Sequence, residues 1–133
     1  MRSVEVEVVT GSARRVVDLG AEIARFLAPG DEGLLSVFAP HATCGVAIIE
    51  VGAGSDDDLL AAVDELLPAD DRWRHAHGSP GHGRDHVLPA WIPPTLTIPV
   101  IGGRMTLGTW QSVVLVDTNV DNPRRTVRLS LAG

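Results

Sequence analysis

A single cysteine, Cys44, stands among 133 residues, so no disulfide can close within the chain, in keeping with a reducing compartment. No apolar run approaches the roughly 20 residues needed to cross a bilayer, and a soluble protein with no membrane partner is expected. The first nine residues alternate charge with valine and have no continuous apolar centre. They do not read as a secretory leader, and cytoplasmic residence is the expectation. Basic charge is scarce as well: 17 acidic residues outnumber 11 basic ones, giving a net charge of -6. That balance argues against a nucleic-acid partner, because neutralising phosphates takes a basic face. The glycine-rich fingerprints of dinucleotide folds and P-loops are absent, as are zinc-finger and HExxH spacings. What remains is a 44% hydrophobic chain that fits one domain, residues 1–133, long enough to bury a core without staples.

Period-2 alternation of Val4, Val6 and Val8 predicts an opening strand, with a hairpin partner over 15–19. Ile23, Phe26 and Leu27 share one helical face, ended by Pro29-Gly30. The runs 34–39 and 45–50 read as buried strands joined by a loop that carries His41. Ser55 is placed to cap a second helix whose first turn holds Asp56, Asp57 and Asp58 and whose apolar side is Leu59, Leu60, Val63, Leu66 and Leu67. Residues 69–94 show little periodicity, and Trp73 and Trp91 within them suggest an ordered, packed loop. Strands return at 95–100, 106–107, 112–118 and 126–131. The sum is an α+β fold with largely antiparallel sheets and two helices.

Four of the five histidines, His75, His77, His82 and His86, fall in twelve residues where about 0.45 would be expected from even spreading. Imidazoles suit zinc and similar divalent ions, and His41, His75 and His86 would supply the three ligands common in catalytic sites. The alternative is a solvated loop. Glu50 and Asp58 are candidate proton carriers, although the helix dipole alone accounts for acids at 56–58. Thr43 is a candidate hydroxyl donor, and Cys44 reads better as a small buried residue than as a nucleophile. Trp110 and Gln111 follow a dense run of turn residues, where core and surface roles are the default. Arg124 and Arg125 are adjacent guanidinium groups, suited to phosphate or to a surface or interface ion pair.

Taken in order, these residues resemble the YjbQ-like family, often called secondary thiamine-phosphate synthase enzymes. The matching features are His41-x-Thr43 running into a strand that ends in Glu50, the acidic helix start near Asp58, His75 and His86, Leu107-Gly-Thr-Trp-Gln111, and Arg124-Arg125. The resemblance implies a two-sheet, largely antiparallel β-sandwich with two helices, assembled as a homotrimer with a cleft of histidines and acids at or near the subunit contacts. It implies metal ligation by His41, His75 and His86, with zinc first and magnesium as the alternative for pyrophosphate chemistry. It further implies catalytic roles for Glu50, Asp58, Thr43 and Gln111, and substrate binding by Trp110, Arg124, Arg125 and His82. His82 falls where relatives often carry Asn or Asp, His77 matches no family position, and the Asp58 assignment can slip to Asp57. The implied activity is weak coupling of hydroxymethylpyrimidine pyrophosphate to thiazole phosphate, a thiamine-biosynthesis transferase reaction. A non-catalytic trimer that binds a small phosphorylated ligand, or a metal-dependent hydrolase, would use the same parts.

Overall fold

The computed structural model describes residues 1–133. Val6 and Val8 of strand β1 (Arg2–Val9) face inward between Glu5 and Glu7. β1 runs antiparallel to β8 (Arg124–Ala132), whose Val127, Leu129 and Leu131 take the matching inward positions. On the outward face Glu5 pairs with Arg128, its register partner, and Arg124 reaches Glu7 at 2.6 Å. The other side of β8 holds β3 (Gly33–Phe38), followed by β5 (Thr95–Ile101) and the short β6 (Arg104–Met105). A second sheet places β7 (Ser112–Asp117) between β2 (Arg15–Asp18) and β4 (Cys44–Ile49). Every strand pair in both sheets is antiparallel.

The two sheets share one core. Leu35, Val37, Ile98, Val100 and Leu129 meet Val46, Val113 and Leu115 there, joined by Ile23 of helix α1 (Gly20–Phe26). The opposite face of β7 is apolar too: Val114 and Val116 pack on Val63 of helix α2 (Ser55–Leu66), on Leu67 and on Leu88 of helix α3 (Leu88–Trp91). Burial on both faces explains why Val113–Val116 is an unbroken apolar run rather than an alternating one.

The α+β class and the antiparallel sheets agree with the sequence reading; the helix count does not. Two helices were expected, and the structure has three, plus a 3-10 turn at His82–His86. The additions lie within 69–94 and span four and five residues, too short for a 3.6-residue period to emerge. Ser55 is not the cap of α2. Gly54, at φ 100, holds that position, and its carbonyl accepts the Asp58 N–H at 2.9 Å. Leu66 is 55% exposed, so the buried face of α2 is narrower than expected. Trp73 packs as anticipated and donates its indole N–H to the Pro68 carbonyl at 2.8 Å, whereas Trp91 is exposed. The strand placed at 106–107 falls at Arg104–Met105, where the β5 ladder ends.

One close approach positions the loop before β4. Pro93 and Pro94 cross that strand, accepting the Val46 N–H at 2.9 Å and the Ala39 N–H at 2.8 Å. A Cβ on Gly45 would stand 1.8 Å from the Ile92 carbonyl oxygen. Gly45→Ala should therefore cost about 3 kcal/mol and lower the thermal midpoint by roughly 10 °C. A calorimetric midpoint within about 2 °C of the parent would contradict this crossing.

Candidate functional site

The 3-10 turn presents His82 and His86 from buried anchors. Arg84 reaches back to α2, donating from Nη1 to Asp64 Oδ1 at 2.9 Å and to the Leu67 carbonyl at 3.0 Å. Asp85 accepts the Thr118 hydroxyl at 2.6 Å and Arg84 Nε at 3.1 Å through Oδ1. Burial pushes the Asp85 carboxyl above its ordinary range, opposed by the Thr118 bond and the Arg84 charge. With both intervening side chains tied down, the two histidines are held beside each other.

His75 and His77 arrive from the preceding loop and complete a cluster. One ligand nitrogen from each of His75, His77, His82 and His86 lies within 4.8 Å of the others. His82 Nε2 and His86 Nε2 are 3.0 Å apart, and the His75 and His86 rings stand 3.8 Å centre to centre. Desolvation, followed by the charges of the neighbouring imidazoles, lowers the pKa of His75 and of His86. Both rings are thus neutral near pH 7, with a lone pair available. Zinc–nitrogen bonds of about 2.0–2.1 Å in a tetrahedron set ligand nitrogens about 3.3 Å apart. The His82–His86 pair, at 3.0 Å, is already close to that spacing, and the rings of His75 and His77 are exposed. The donor set fits a divalent metal ion.

His41 borders the same region. Its Nε2 lies against the backbone of Thr126, 2.9 Å from the N–H and 3.1 Å from the carbonyl oxygen, so Thr126 occupies that nitrogen in either tautomer. Desolvation, followed by the Arg125 charge, lowers its pKa. Beneath it lies a buried polar network. Arg125 donates to both carboxylate oxygens of Asp117, at 2.7 and 3.0 Å, and to Thr43 Oγ1 at 2.8 Å. Asn119 Nδ2 donates to the same Thr43 oxygen at 3.1 Å. A cleft of about 390 Å³ opens above, lined by His41, Thr43, His77, His82, His86, Asp121, Asn122 and Arg125 among others.

The residues named from sequence divide between two ends of the three-stranded sheet. His41, Thr43, Arg125 and the histidine cluster sit where Cys44 pairs with Asp117. Glu50, Trp110 and Gln111 sit beyond the other end, where Ile49 pairs with Ser112, and Asp58 begins α2 nearby. Six strand residues separate the ends, a distance of roughly 17–20 Å. Glu50 and Asp58 are exposed, Gln111 accepts the Gly108 N–H at 2.8 Å, and Trp110 is 72% exposed rather than core. Arg124 and Arg125 do not form a clamp, because neighbouring strand residues point to opposite faces: Arg124 is paired outside with Glu7 and Arg125 inside with Asp117. Cys44 is fully buried, and burial pushes its thiol up to about 12, which leaves it inert.

Several participants escaped the sequence reading. His77 joins the cluster it was set apart from, and Asp117, Asn119 and Asp121 support the site from a segment about 40 residues downstream. Only the local histidine density pointed to His77, and no sequence signal marked the others.

The depressed pKa values of His75 and His86 carry a stability consequence. Below about pH 6.5 the unfolded chain takes up protons that the folded cluster resists, so stability falls as pH falls. The thermal midpoint should drop between pH 7.5 and 5.5, and drop less in a His75→Ala/His86→Ala variant. Equal drops in the two proteins would contradict the crowding.

A family model described as UPF0047 protein YjbQ-like matches residues 4–133. UPF0047 proteins of Mycobacterium bovis and Mycobacterium tuberculosis H37Rv are each 62% identical over 122 residues, spanning 92% of this chain and 95% and 92% of their own. A hypothetical protein from Aeropyrum pernix K1 superposes with a TM-score of 0.88 at 32% identity, covering 100% of this chain and 99% of the other. A conserved hypothetical protein from Thermus thermophilus gives 0.82 at 29% identity, covering 97% and 99%. No helix of this chain is long and apolar enough to cross a membrane. The match along nearly the whole sequence, the mycobacterial identity and the shared fold place the chain in the YjbQ-like UPF0047 family.

Proposed function

We propose that the chain is a metal-dependent enzyme acting on a small phosphorylated substrate, with zinc held by His75, His77, His82 and His86. The observation that carries the reading is the convergence of four imidazole nitrogens within 4.8 Å at the edge of a cleft. An all-nitrogen set favours zinc over magnesium, which prefers oxygen ligands and several waters. His41 then serves the cleft through Nδ1, because its Nε2 is engaged by Thr126. The family resemblance makes coupling of hydroxymethylpyrimidine pyrophosphate to thiazole phosphate the first reaction to assay. A bound divalent ion would supply charge stabilisation for the departing pyrophosphate. The side chains around the cleft would orient the substrate and exclude water, and Asp117 keeps Arg125 fixed in its wall.

The same reading makes the protein a homotrimer in which the end bearing Glu50, Asp58, Trp110 and Gln111 meets the histidine end of the next copy. Its support is the separation of the two groups in one chain and the large exposed aromatic, Trp110, beside the acids. Glu50 or Asp58 would then carry the proton across the subunit contact.

Zinc titration against a chromophoric chelator tests the centre. The His75→Ala/His86→Ala variant should lose at least about 100-fold in affinity, and an unchanged affinity would remove the centre. Coupling activity tests the assembly. Trimers reassembled from equal parts Glu50→Gln and His86→Ala chains should recover about a quarter of the parent rate, because one contact in four then joins two intact halves. No recovery, from trimers shown to be mixed, would place both residues in one chain's site. Phosphate release without a thiazole acceptor would mark a hydrolase, and saturable ligand binding without turnover, retained in Glu50→Gln, a binding protein.

A further inference from the structure

His82 is the one ring of the four that the fold buries. Its Nε2 faces the cluster, 3.0 Å from His86 Nε2, and its Nδ1 is buried with no hydrogen-bond partner. That nitrogen faces two carboxylates, Asp121 Oδ2 at 3.0 Å and Asp85 Oδ2 at 3.8 Å. Asp85 is the more distant, and its Oδ1 is committed to Thr118 and Arg84. Asp121 is the nearer and is itself held in place. Ser79 donates to it from its hydroxyl and from its backbone N–H, the latter at 3.1 Å, and the Asp121 N–H is fixed on Asn119 Oδ1 at 2.8 Å.

The turn that carries Ser79 is shaped to lie over this contact. A Cβ on Gly78 would stand 2.8 Å from Asp121 Oδ2 and 3.1 Å from Cγ of the His82 ring, and Gly78 adopts φ +79, a conformation that costs other residues strain. The segment preceding the 3-10 turn therefore closes on the carboxylate and the ring together. Asp121 comes from the β7–β8 connection, 39 positions along the chain, so the contact belongs to the tertiary structure.

We propose that Asp121 is the positioning residue for His82, drawing the ring proton to Nδ1 so that Nε2 presents its lone pair to the histidine cluster. This rests on the four-histidine metal reading for its functional meaning, but not for its test. The two nitrogens of an imidazole are not equivalent: what one of them touches decides which carries the proton and how basic the other is. The N–H at Nδ1 is not aligned on Oδ2 for a full hydrogen bond, so the attraction across 3.0 Å is that of a carboxylate for the N–H dipole. With the proton on Nδ1, His82 Nε2 accepts from His86 Nε2–H in the absence of an ion. A bound metal would take both Nε2 atoms as ligands in place of that hydrogen bond, with the His86 proton moved to its Nδ1. Ser79 acts by holding the carboxylate.

The test uses the full-length chain and the variants Asp121→Ala and Asp121→Asn, with two readouts. Long-range nitrogen–proton correlation spectra assign the His82 tautomer without metal, and chelator competition gives the zinc affinity. The parent should show Nδ1–H. Asp121→Ala should move His82 toward Nε2–H and lose about 10–100-fold in zinc affinity. Asp121→Asn, whose amide oxygen still accepts, should keep Nδ1–H and restore most of that affinity. If Asp121→Ala keeps the Nδ1–H form, the proposal is overturned whatever zinc does. If the tautomer shifts as expected but the parent binds no zinc, the positioning role stands and the metal reading falls.

Discussion

The arrangement of the site depends on a buried ion pair between the sheets. Asp117 ends β7 in the small sheet and Arg125 stands near the start of β8 in the large one; both are almost wholly buried, and two N–H donors of the guanidinium meet the two carboxylate oxygens. Removing one partner of such a pair typically costs about 3–5 kcal/mol, because the other charge is left without compensation. Its consequences run outward. Thr43 is fixed by Arg125 and Asn119, Asn119 is fixed by Asp117, and Asp121 is fixed by Asn119. A continuous line of polar contacts thus leads from the junction of the two sheets to the ring of His82. The histidines sit outside both sheets, yet they are tied to the buried junction between them.

The double-sided burial of β7 provides the complementary constraint. One face seals the sandwich, and the other seats α2 and α3. α2 runs back along the small sheet, so its C-terminal end offers the Leu67 carbonyl to Arg84 at the histidine end, while its acidic first turn lies at the opposite one. The polarity of a single helix therefore keeps Asp58 apart from the histidines in one chain. A site that needs both is completed by a second copy, which is the physical content of the proposed trimer.

Much of the fold was legible in local pattern. Val6 and Val8 of β1, the apolar run of β7 and the face of α1 each encode their own burial, whereas Val4 of the same alternation is 38% exposed. The 3-10 turn at 82–86 was not, because Arg84 and Asp85 look like surface residues until Asp64, Leu67 and Thr118 are brought to them. Residue types at the site were read more successfully than their grouping. Histidine density marked the right segment, but spacing could not show that all four rings converge, nor that the Thr126 N–H would occupy His41. The separation of Arg124 from Arg125 was in principle readable, since adjacent strand positions face opposite ways. Asp117 and Asp121 carried no mark, because their importance comes from tertiary contacts alone.

The proposed metal shell belongs to the 75–86 segment and not to His41. X-ray absorption at the zinc edge, on protein loaded with one equivalent, addresses it directly when the parent is compared with His41→Ala. Both proteins should show the same shell, imidazole nitrogens at about 2.0–2.1 Å. Loss of an imidazole from the shell in His41→Ala, or a shell composed mainly of oxygen in the parent, would contradict it.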